Sequence, residues 1–340
     1  MSENDEIYAV PRRSKILVTG ANGFIGSHVV NCLLELGFAV RGTVRQPKPW
    51  LNDFFQKKFG PETFETVIVP NFDDVNLLIR SLEGISGVVH VASDMTFSTD
   101  PNLVIPWVVR ATQNILEAAS QQPVKRVVLT SSSTAALVPE ANLEIRVDEI
   151  DTWNEASLRA AWQQDTTDDR LGLHVYAASK TEGERQAWKW IQTNKPSFVF
   201  NSVLPNFNIG KILHPNIKGS SSDWVRNLLA GDPMLFSIIG PQWFVDVVDN
   251  ARLHVIALLD PNVKSQRLFA FAAPFQMKDI ASTLKKLRPH AAIPSPPVGE
   301  GLDLSDIVPS KTAQELLQVF YGQRGWTSLE ESLAALIEDL

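Results

Sequence analysis

Several residue types that mark other classes of protein are scarce in this 340-residue sequence. It has one cysteine, Cys32, so an intramolecular disulfide and a multi-cysteine metal site are both excluded, and no metal site is predicted. No apolar run approaches the ~18 residues that a membrane-spanning helix needs. The 31 basic and 38 acidic residues leave a net charge of −7 without a basic cluster, which argues against a nucleic acid or a membrane as partner. A small-molecule ligand and a cytoplasmic location are therefore expected.

Short β-branched runs alternate with longer amphipathic stretches from residue 15 to residue 205. The pattern predicts strands at 16–19, 39–44, 66–69, 88–91, 126–130 and 198–204. It predicts helices between them, the clearest of which end at Leu36, span 102–120 and span 175–193. Strands separated by helices indicate parallel βαβ units.

The pattern weakens after residue 205. Residues 209–244 are rich in Gly, Ser, Pro and Trp, which is typical of loops over a binding site. A helix at 245–259, a strand at 267–272, a helix at 277–287 and a surface connector at 289–297 follow. We expect an α/β fold in which residues 14–205 form a Rossmann-type doubly wound parallel sheet that binds NADP. Residues 206–340 would form a smaller C-terminal substrate-binding lobe, with 242–262 returning to the first domain.

A glycine-rich turn, TGANGFIG at residues 19–26, joins the first predicted strand to the first predicted helix. Glycines at such a turn allow tight reversal, close approach of a pyrophosphate to backbone N–H groups, and close packing of helix on strand. The spacing Gly-x-x-Gly-x-x-Gly differs from the commoner Gly-x-Gly-x-x-Gly, and a purely structural turn is the alternative. The residues predicted to contact a dinucleotide here are Gly20, Asn22, Gly23, Phe24, Ile25 and Gly26.

The end of the second predicted strand indicates which dinucleotide binds. An NAD site usually has an acidic residue ~20 positions after the glycines, where it accepts hydrogen bonds from the ribose. This sequence has Arg41, Arg45 and Lys48 there, and no carboxylate before Asp53. A guanidinium can bind a 2′-phosphate through two parallel hydrogen bonds, so NADP(H) is predicted, with Arg45 the better-placed arginine. The alternative is that these residues are solvated surface charges.

Only three tyrosines are present, and one of them lies four residues before a lysine, as Tyr176 and Lys180. Positions four apart share one face of a helix, so both side chains can address the same small volume. A phenol with a pKa of ~10 is a weak acid near neutrality, but a nearby ammonium group stabilises its phenolate. Tyr176 could then act as a general acid, although such a pair also occurs by chance on many helices.

Hydroxyl side chains follow the fifth predicted strand, in the run Thr130 to Thr134. Loops at the carboxyl ends of parallel strands form ligand sites, and a serine there can donate a hydrogen bond to a carbonyl oxygen. Hydroxyl-rich strand ends also serve as plain turns. The order of the four features is more informative than any one of them: glycine turn, basic strand end, serines, and tyrosine–lysine helix.

In that combination the sequence resembles the extended short-chain dehydrogenase/reductase family. The matching segments are TGANGFIG at 19–26, VRGTVR at 40–45, TSS at 130–132, YAASK at 176–180, VLPNF at 203–207 and GPQWFV at 240–245. They are most similar to the branch that contains dihydroflavonol reductases, cinnamoyl-CoA reductases and the NADPH-dependent aldehyde and ketone reductases of yeasts and fungi. The fungal carbonyl reductase type is the most similar.

The resemblance implies a role for each matching residue. Tyr176 would be the proton donor, Lys180 would hold the nicotinamide ribose and lower the pKa of Tyr176, and Ser132 would bind the carbonyl oxygen. Ser131 and Ser133 are the fallback choices for Ser132. The further cofactor-lining residues that it implies are Val91, Ala92, Ser93, Thr130, Pro205 and Asn206.

Two positions depart from the family's pattern. Asn71 replaces a usual aspartate that touches adenine, which puts that contact in doubt. The segment 111–114, ATQN, replaces a usual Gly-Thr start, which leaves a role of Asn114 in holding a catalytic water open.

These features predict a monomeric or homodimeric enzyme that transfers hydride from NADPH to an aldehyde or ketone. The candidates for the substrate pocket wall are Ser133, Trp224, Gln242, Trp243 and Phe244, whose aromatic and apolar surfaces would favour bulky, flat carbonyl compounds. The aromatic ones could equally be core residues. A nucleotide-sugar epimerase or dehydratase that recycles bound NAD is one alternative. Net consumption of NADPH would distinguish the reductase from such an enzyme. A non-catalytic NADP-sensing regulator is the other, although it would have no need for Ser132, Tyr176 and Lys180 together.

Overall fold

The computed structural model of the protein describes residues 8–163 and 167–340. Its strands are Lys15–Thr19 (β1), Ala39–Val44 (β2), Phe64–Ile68 (β3), Ile85–His90 (β4), Arg126–Thr130 (β5), Arg146–Val147 (β6), Val199–Pro205 (β7), Phe207–Ile209 (β8), Gln242–Asp246 (β9), Arg267–Ala270 (β10), Ala273–Phe275 (β11) and Asp306–Ile307 (β12). Its helices are Phe24–Glu35 (α1), Pro49–Phe59 (α2), Val75–Ser81 (α3), Pro101–Ser120 (α4), Glu155–Gln163 (α5), Leu171–Asn194 (α6), Ser220–Leu229 (α7), Met234–Ile238 (α8), Val247–Leu259 (α9), Met277–Leu287 (α10), Ser310–Tyr321 (α11) and Leu329–Leu336 (α12).

Seven parallel strands form the central sheet, in the order β3-β2-β1-β4-β5-β7-β10. This arrangement confirms the predicted α/β fold with a Rossmann-type sheet. The strand order reverses next to β1, which pairs with β2 on one side and with β4 on the other. A crevice opens at the carboxyl ends of the strands at such a reversal, and ligands of this fold class bind there.

The central strands are buried because helices cover both faces of the sheet. Every residue of β5 is buried, as is typical of parallel strands. Alternate residues of β1 pack on opposite faces, with Ile16 and Val18 in one hydrophobic cluster and Leu17 in another. The first cluster includes side chains of α1, α2, α9 and α11, and the second includes side chains of α3, α4 and α6.

A second, smaller sheet of β8, β9 and β11 forms the centre of the C-terminal lobe. Its core contains side chains of α7, α8, α10 and α12. The segment 242–262 is divided between the two parts of the molecule. Residues 242–246 form β9 of the small sheet, whereas α9 packs on α1 and the central strands, and β10 then completes the central sheet.

Several bounds agree with the sequence pattern, and several elements were not expected from it. The strands β2 and β5 and the helix α10 have the predicted bounds. The expectation of loops over 209–244 is wrong for α7 and α8, which are stabilised by tertiary packing, as when Val225 and Leu228 are buried in the lobe core. Among the described residues, no helix is both long and apolar enough to cross a membrane.

Candidate active site

The turn between β1 and α1 requires glycine at two positions. Gly20 has φ +66°, and a Cβ added there would lie 3.3 Å from the backbone of Ala92. A Cβ added to Gly26 would lie 2.2 Å from the Gly20 carbonyl oxygen, so no side chain fits. Gly23 precedes α1 without a side-chain cap, which leaves first-turn N–H groups available to an anion.

The segment 211–219 lies against this turn, which sequence reasoning did not anticipate. Gly23 forms an isolated parallel bridge with Lys218, and His28 Nε2 donates to the Lys211 carbonyl oxygen over 2.8 Å. Phe24 is 6% exposed because it packs with Ile217 and Val247, while Asn22 and Ile25 are half-buried. Residues 211–219 therefore form one wall beside the predicted pyrophosphate site.

The two arginines of β2 and the loop after it differ in their contacts. Arg41 is tied to the protein, because its guanidinium donates to Glu65 Oε1 over 2.8 Å and to the carbonyls of Ser81 and Glu83 over 2.9 and 3.0 Å. Arg45 is exposed and has no hydrogen bond or ion pair within residues 8–163 and 167–340. Its guanidinium is therefore free to bind a ligand, whereas that of Arg41 is not.

The predicted cofactor residues lie at the carboxyl ends of adjacent central strands. After β4, the Ala92 N–H donates to Thr19 Oγ1 at the end of β1 over 3.0 Å. At the turn, the Gly20 N–H donates to Thr43 Oγ1 over 3.3 Å. After β7, Asn206 is buried, and its N–H donates to the Ala270 carbonyl oxygen over 3.2 Å. The residues that lie along this edge are Gly20, Asn22, Gly23, Arg45, Val91, Ala92, Ser93, Thr130, Pro205 and Asn206.

Hydrogen bonding distinguishes the serines that follow β5. The Ser131 hydroxyl donates to Glu184 Oε2 over 2.7 Å, so its one proton is committed to a carboxylate that can only accept. Ser132 Oγ instead accepts from the backbone N–H and the hydroxyl of Thr134, over 3.2 and 2.9 Å. The proton of Ser132 is therefore not committed to a carboxylate as that of Ser131 is, which favours Ser132 over Ser131 as the carbonyl-binding residue. Ser133 is buried at the start of the short helical turn 133–135.

Tyr176 and Ser132 meet at the carboxyl end of β5, where α6 passes. Burial raises the pKa of Tyr176 above its ordinary value of 10, and the hydrogen bond between the phenol and Ser132 partly opposes this shift. Burial sets the direction of this shift, and the lowering expected of Lys180 stays a prediction. The Lys180 ammonium lies 6.0 Å from the Tyr176 ring centroid and donates to the Thr130 carbonyl oxygen over 3.2 Å. Tyr176 is therefore a neutral phenol near neutral pH.

Lys180 is buried, and the two histidines near it are uncharged. Burial lowers its pKa to about 8, while the charges of Glu184 and Asp94 act in the opposite direction. Burial also lowers the pKa of His90 to about 3 and that of His254 to about 4, so both rings are uncharged at physiological pH. His254 Nδ1 donates to a backbone carbonyl of α9 over 2.8 Å, so its Nε2 accepts from the Thr130 hydroxyl at the same distance.

Three comparisons place this geometry among known proteins. The family model of the NAD dependent epimerase/dehydratase family matches residues 16–270. The chain belongs to this family. The resemblance to extended short-chain dehydrogenases/reductases is thereby confirmed.

Curated relatives match almost the whole chain. It is 48% identical over 331 residues to the ketoreductase adrE of Penicillium rubens, covering 96% of both chains. It is 40% identical over 338 residues to aldehyde reductase 2 of Sporidiobolus salmonicolor, again covering 96% of both. Among solved structures, Gre2 of Candida albicans in complex with NADPH has a TM-score of 0.78 and 28% identity, covering 96% of this chain and 98% of that one.

The two positions that depart from the family's pattern have local partners. Asn71 is exposed, and its side-chain oxygen accepts from the Asp73 N–H over 3.1 Å, which stabilises the loop after β3. Asn114 Nδ2 donates to the Phe72 carbonyl oxygen over 2.8 Å. In this family member Asn114 therefore holds the loop 70–74 against α4.

The three predicted pocket-wall residues that lie on β9 divide between its two faces. Phe244 is 2% exposed and packs on Phe275 in the core of the small lobe, with a ring separation of 6.4 Å, so we leave it out of the proposed pocket wall. Trp243 lies on the other face, near Phe271 and the residues that follow Ser133. Gln242 is half-buried, and half-buried Trp224 on α7 packs on the lobe core.

Sequence reasoning missed Phe97, which contacts the Tyr176 ring with centroids 4.9 Å apart. Phe97 has φ +51°, a conformation that is costly for an aromatic residue and is found at functional sites. Its loop packs tightly on α6, because a Cβ on Gly172 would lie 2.5 Å from the Phe97 carbonyl oxygen. No sequence motif marks this residue, and only the chain path after β4 reveals it.

Proposed function

We propose that this protein is an NADPH-dependent carbonyl reductase that converts aldehydes or ketones to alcohols. One observation carries the proposal: Ser132, whose hydroxyl proton is not committed to a carboxylate, and Tyr176, a neutral phenol, meet beside buried Lys180. The relatives named ketoreductase and aldehyde reductase cover nearly the whole chain, which supports the same activity. The NADPH in the Candida albicans Gre2 structure supports the cofactor.

The residues present fit NADPH. A Cβ at position 26 would clash with the turn, and the uncapped start of α1 can bind a pyrophosphate. Arg45, exposed and unpaired within the described residues, would bind the 2′-phosphate. When bound, NADPH supplies the hydride. In this proposal residues 14–205 form the NADP-binding domain and residues 206–340 form mainly the substrate-binding lobe.

The three residues of the proposed catalytic group have different roles. Ser132 donates a hydrogen bond to the carbonyl oxygen and so stabilises the negative charge that develops there. Tyr176 donates the phenolic proton to the same oxygen, which yields the alcohol. Lys180, charged below a pH of about 8, binds the ribose hydroxyls and stabilises the phenolate that remains.

The proposal also covers the substrate class, the oligomeric state and the location of the protein. We propose a small-molecule carbonyl substrate, a monomeric or homodimeric state and a cytoplasmic location. The only cysteine, Cys32, is buried in α1, which suits a reducing compartment. Light scattering of the purified protein and microscopy of a tagged copy test the oligomeric state and the location.

An epimerase or dehydratase with tightly held NAD remains the second candidate, because the matched family includes such enzymes. The absence of a carboxylate at the end of β2 and the free Arg45 disfavour it.

The test measures NADPH and NADH oxidation with a panel of aliphatic and aromatic aldehydes, ketones and ketoesters, with identification of the alcohol produced. Stoichiometric NADPH consumption with little NADH consumption supports the reductase. Turnover of a nucleotide sugar without net NADPH consumption supports the epimerase. Tight NADPH binding without either reaction would favour a sensor and contradict the proposal.

A further inference from the structure

Glu184 lies one helical turn beyond Lys180 on α6 and is almost completely buried. Its carboxylate accepts a hydrogen bond from Ser131 at the end of β5 over 2.7 Å and from Ser202 on β7 over 2.7 Å. It also pairs with Arg267 on β10, Nε to Oε1 over 2.8 Å. One carboxylate thus connects α6 to three adjacent strands at the edge where the candidate site lies.

Arg267 extends this connection to the segment 149–153. Its guanidinium donates to the carbonyl oxygens of Glu149 and Thr152 over 3.2 and 3.0 Å. The same group stacks on the Trp153 ring, 4.0 Å from the centroid. The Arg267 guanidinium is therefore buried and hydrogen-bonded through all three of its nitrogens, as a buried ion pair needs to be to persist.

Stability alone is a weak reason for such a pair, because well-packed apolar residues often stabilise a core as much or more. The placement of the carboxylate suggests another role. Ser131, which it holds, is covalently next to Ser132, and Lys180 lies on the same helix one turn away. Lys180 and Glu184 also line one cavity between α4, α6 and the ends of β4 and β5.

We propose that Glu184 is a positioning residue for the carbonyl reduction: it fixes Ser132 through Ser131 and places a carboxylate one helical turn from the Lys180 ammonium. This inference rests on the proposed function. Arg267 in turn fixes the orientation of the Glu184 carboxylate.

The charges that face Lys180 define what the proposal predicts for pH dependence. The carboxylates of Glu184 on α6 and Asp94 after β4 carry these charges. The titratable groups beside them are His90 on β4, His254 on α9 and the neutral phenol of Tyr176. Both histidines are neutral above pH 6, so the two carboxylates alone favour the charged ammonium. Removing the charge of Glu184 should therefore lower the pKa of Lys180 further below about 8.

The first experiment compares kcat and KM between pH 6 and pH 9.5 for wild type and Glu184→Gln. We expect the alkaline loss of activity to move to lower pH in the variant. We also expect kcat to fall about 10- to 100-fold with little change in the KM of the carbonyl substrate, because Ser132 and Lys180 are misplaced. If the alkaline loss of activity does not move, the proposed effect of the Glu184 charge on Lys180 is wrong. In Glu184→Asp, which keeps the charge, the alkaline loss of activity should lie closer to that of wild type.

The second experiment uses two matched serine variants and does not depend on removing a buried charge. Ser131→Ala and Ser202→Ala each remove one 2.7 Å hydrogen bond to the same carboxylate, from adjacent strands. If Glu184 positions Ser132 through Ser131, Ser131→Ala loses kcat about tenfold or more, and Ser202→Ala loses far less at similar thermal stability. Equal losses in the two variants, or none in either, would overturn the positional part even if Glu184→Gln does not fold.

NADPH binding followed by cofactor fluorescence separates this inference from the proposed function. If the wild type binds NADPH but reduces no carbonyl, the proposed function fails. In that case the pH dependence of NADPH affinity still tests Glu184, because Lys180 would bind the ribose. The affinity should weaken at lower pH in Glu184→Gln than in wild type, and identical profiles would refute the inference.

Discussion

Replacement of Arg45 by glutamine should weaken the preference for NADPH without affecting the use of NADH. Arg45 is exposed at the carboxyl end of the central sheet, free of any partner within residues 8–163 and 167–340. Its loss therefore breaks no internal contact and removes only the bonds to a 2′-phosphate. Arg41→Gln is the matched control, since Arg41 is already bound to Glu65 and two backbone carbonyls.

The expected size of the effect follows from these bonds. A hydrogen bond to a charged group contributes ~1.5–3 kcal/mol, which corresponds to about 10- to 150-fold in kcat/KM. Because Arg45 is solvent-exposed, we expect the lower half of this range and a smaller effect at high salt. Arg41→Gln should lower thermal stability and leave the cofactor preference unchanged.

The assay is the initial rate of cofactor oxidation with NADPH and NADH at low and high salt, for wild type and both variants. The reasoning requires the ratio of NADPH to NADH efficiency to fall in Arg45→Gln alone. A ratio that stays constant in Arg45→Gln, or that falls equally in Arg41→Gln, would refute the assignment of the 2′-phosphate site.

Three further perturbations test other parts of the site. Gly26→Ala would place a Cβ 2.2 Å from the Gly20 carbonyl oxygen, so α1 must shift and NADPH affinity, measured by fluorescence titration, should fall about tenfold or more. The control is Gly325→Ala, whose Cβ would meet nothing closer than 3.8 Å and which should bind NADPH as wild type does. Activity should decline as pH rises through about 8, because buried Lys180 then loses its charge; a pH–rate profile that is flat to pH 9.5 would contradict this. Phe97→Ala removes the ring that contacts Tyr176, so kcat should fall about tenfold while NADPH affinity is retained. If steady-state kinetics give this variant the kcat of the wild type, Phe97 does not orient the phenol.

The features that sequence predicts well are local or periodic. The strands β2 and β5 show β-branched runs with clear ends, and their bounds agree with the structure. The glycine turn is equally readable, because Gly20 has a positive φ and a Cβ at Gly26 would collide with backbone. The pair Tyr176 and Lys180 depends only on helical spacing, which makes their common location predictable.

The sequence favoured Arg45 over Arg41 and Ser132 over Ser131, but the physical reason for each choice lies in long-range contacts. Both Arg41 and Arg45 are arginines near the end of one strand, and only the neighbouring chain at Glu65, Ser81 and Glu83 shows which one is bound. The choice between Ser131 and Ser132 likewise depends on a distant carboxylate.

The lobe was predicted least well. The helix α7 falls where loops were expected, and it is stabilised by its packing in the lobe core. The sequence left Phe244 open as a pocket-wall or a core residue, and the alternation of β9 places it in that core. The direction of the Tyr176 pKa shift was also unpredictable, because it depends on burial and on the contact with Ser132.

The central claim is that Tyr176 gives its proton to the oxygen of a carbonyl reduced by NADPH. The most direct measurement compares kcat of wild type and Tyr176→Phe on one carbonyl substrate, with NADPH affinity measured in parallel. The account predicts that kcat falls about 10²- to 10⁴-fold, because a general acid is lost, while NADPH affinity changes little. Undiminished turnover in Tyr176→Phe would contradict the account.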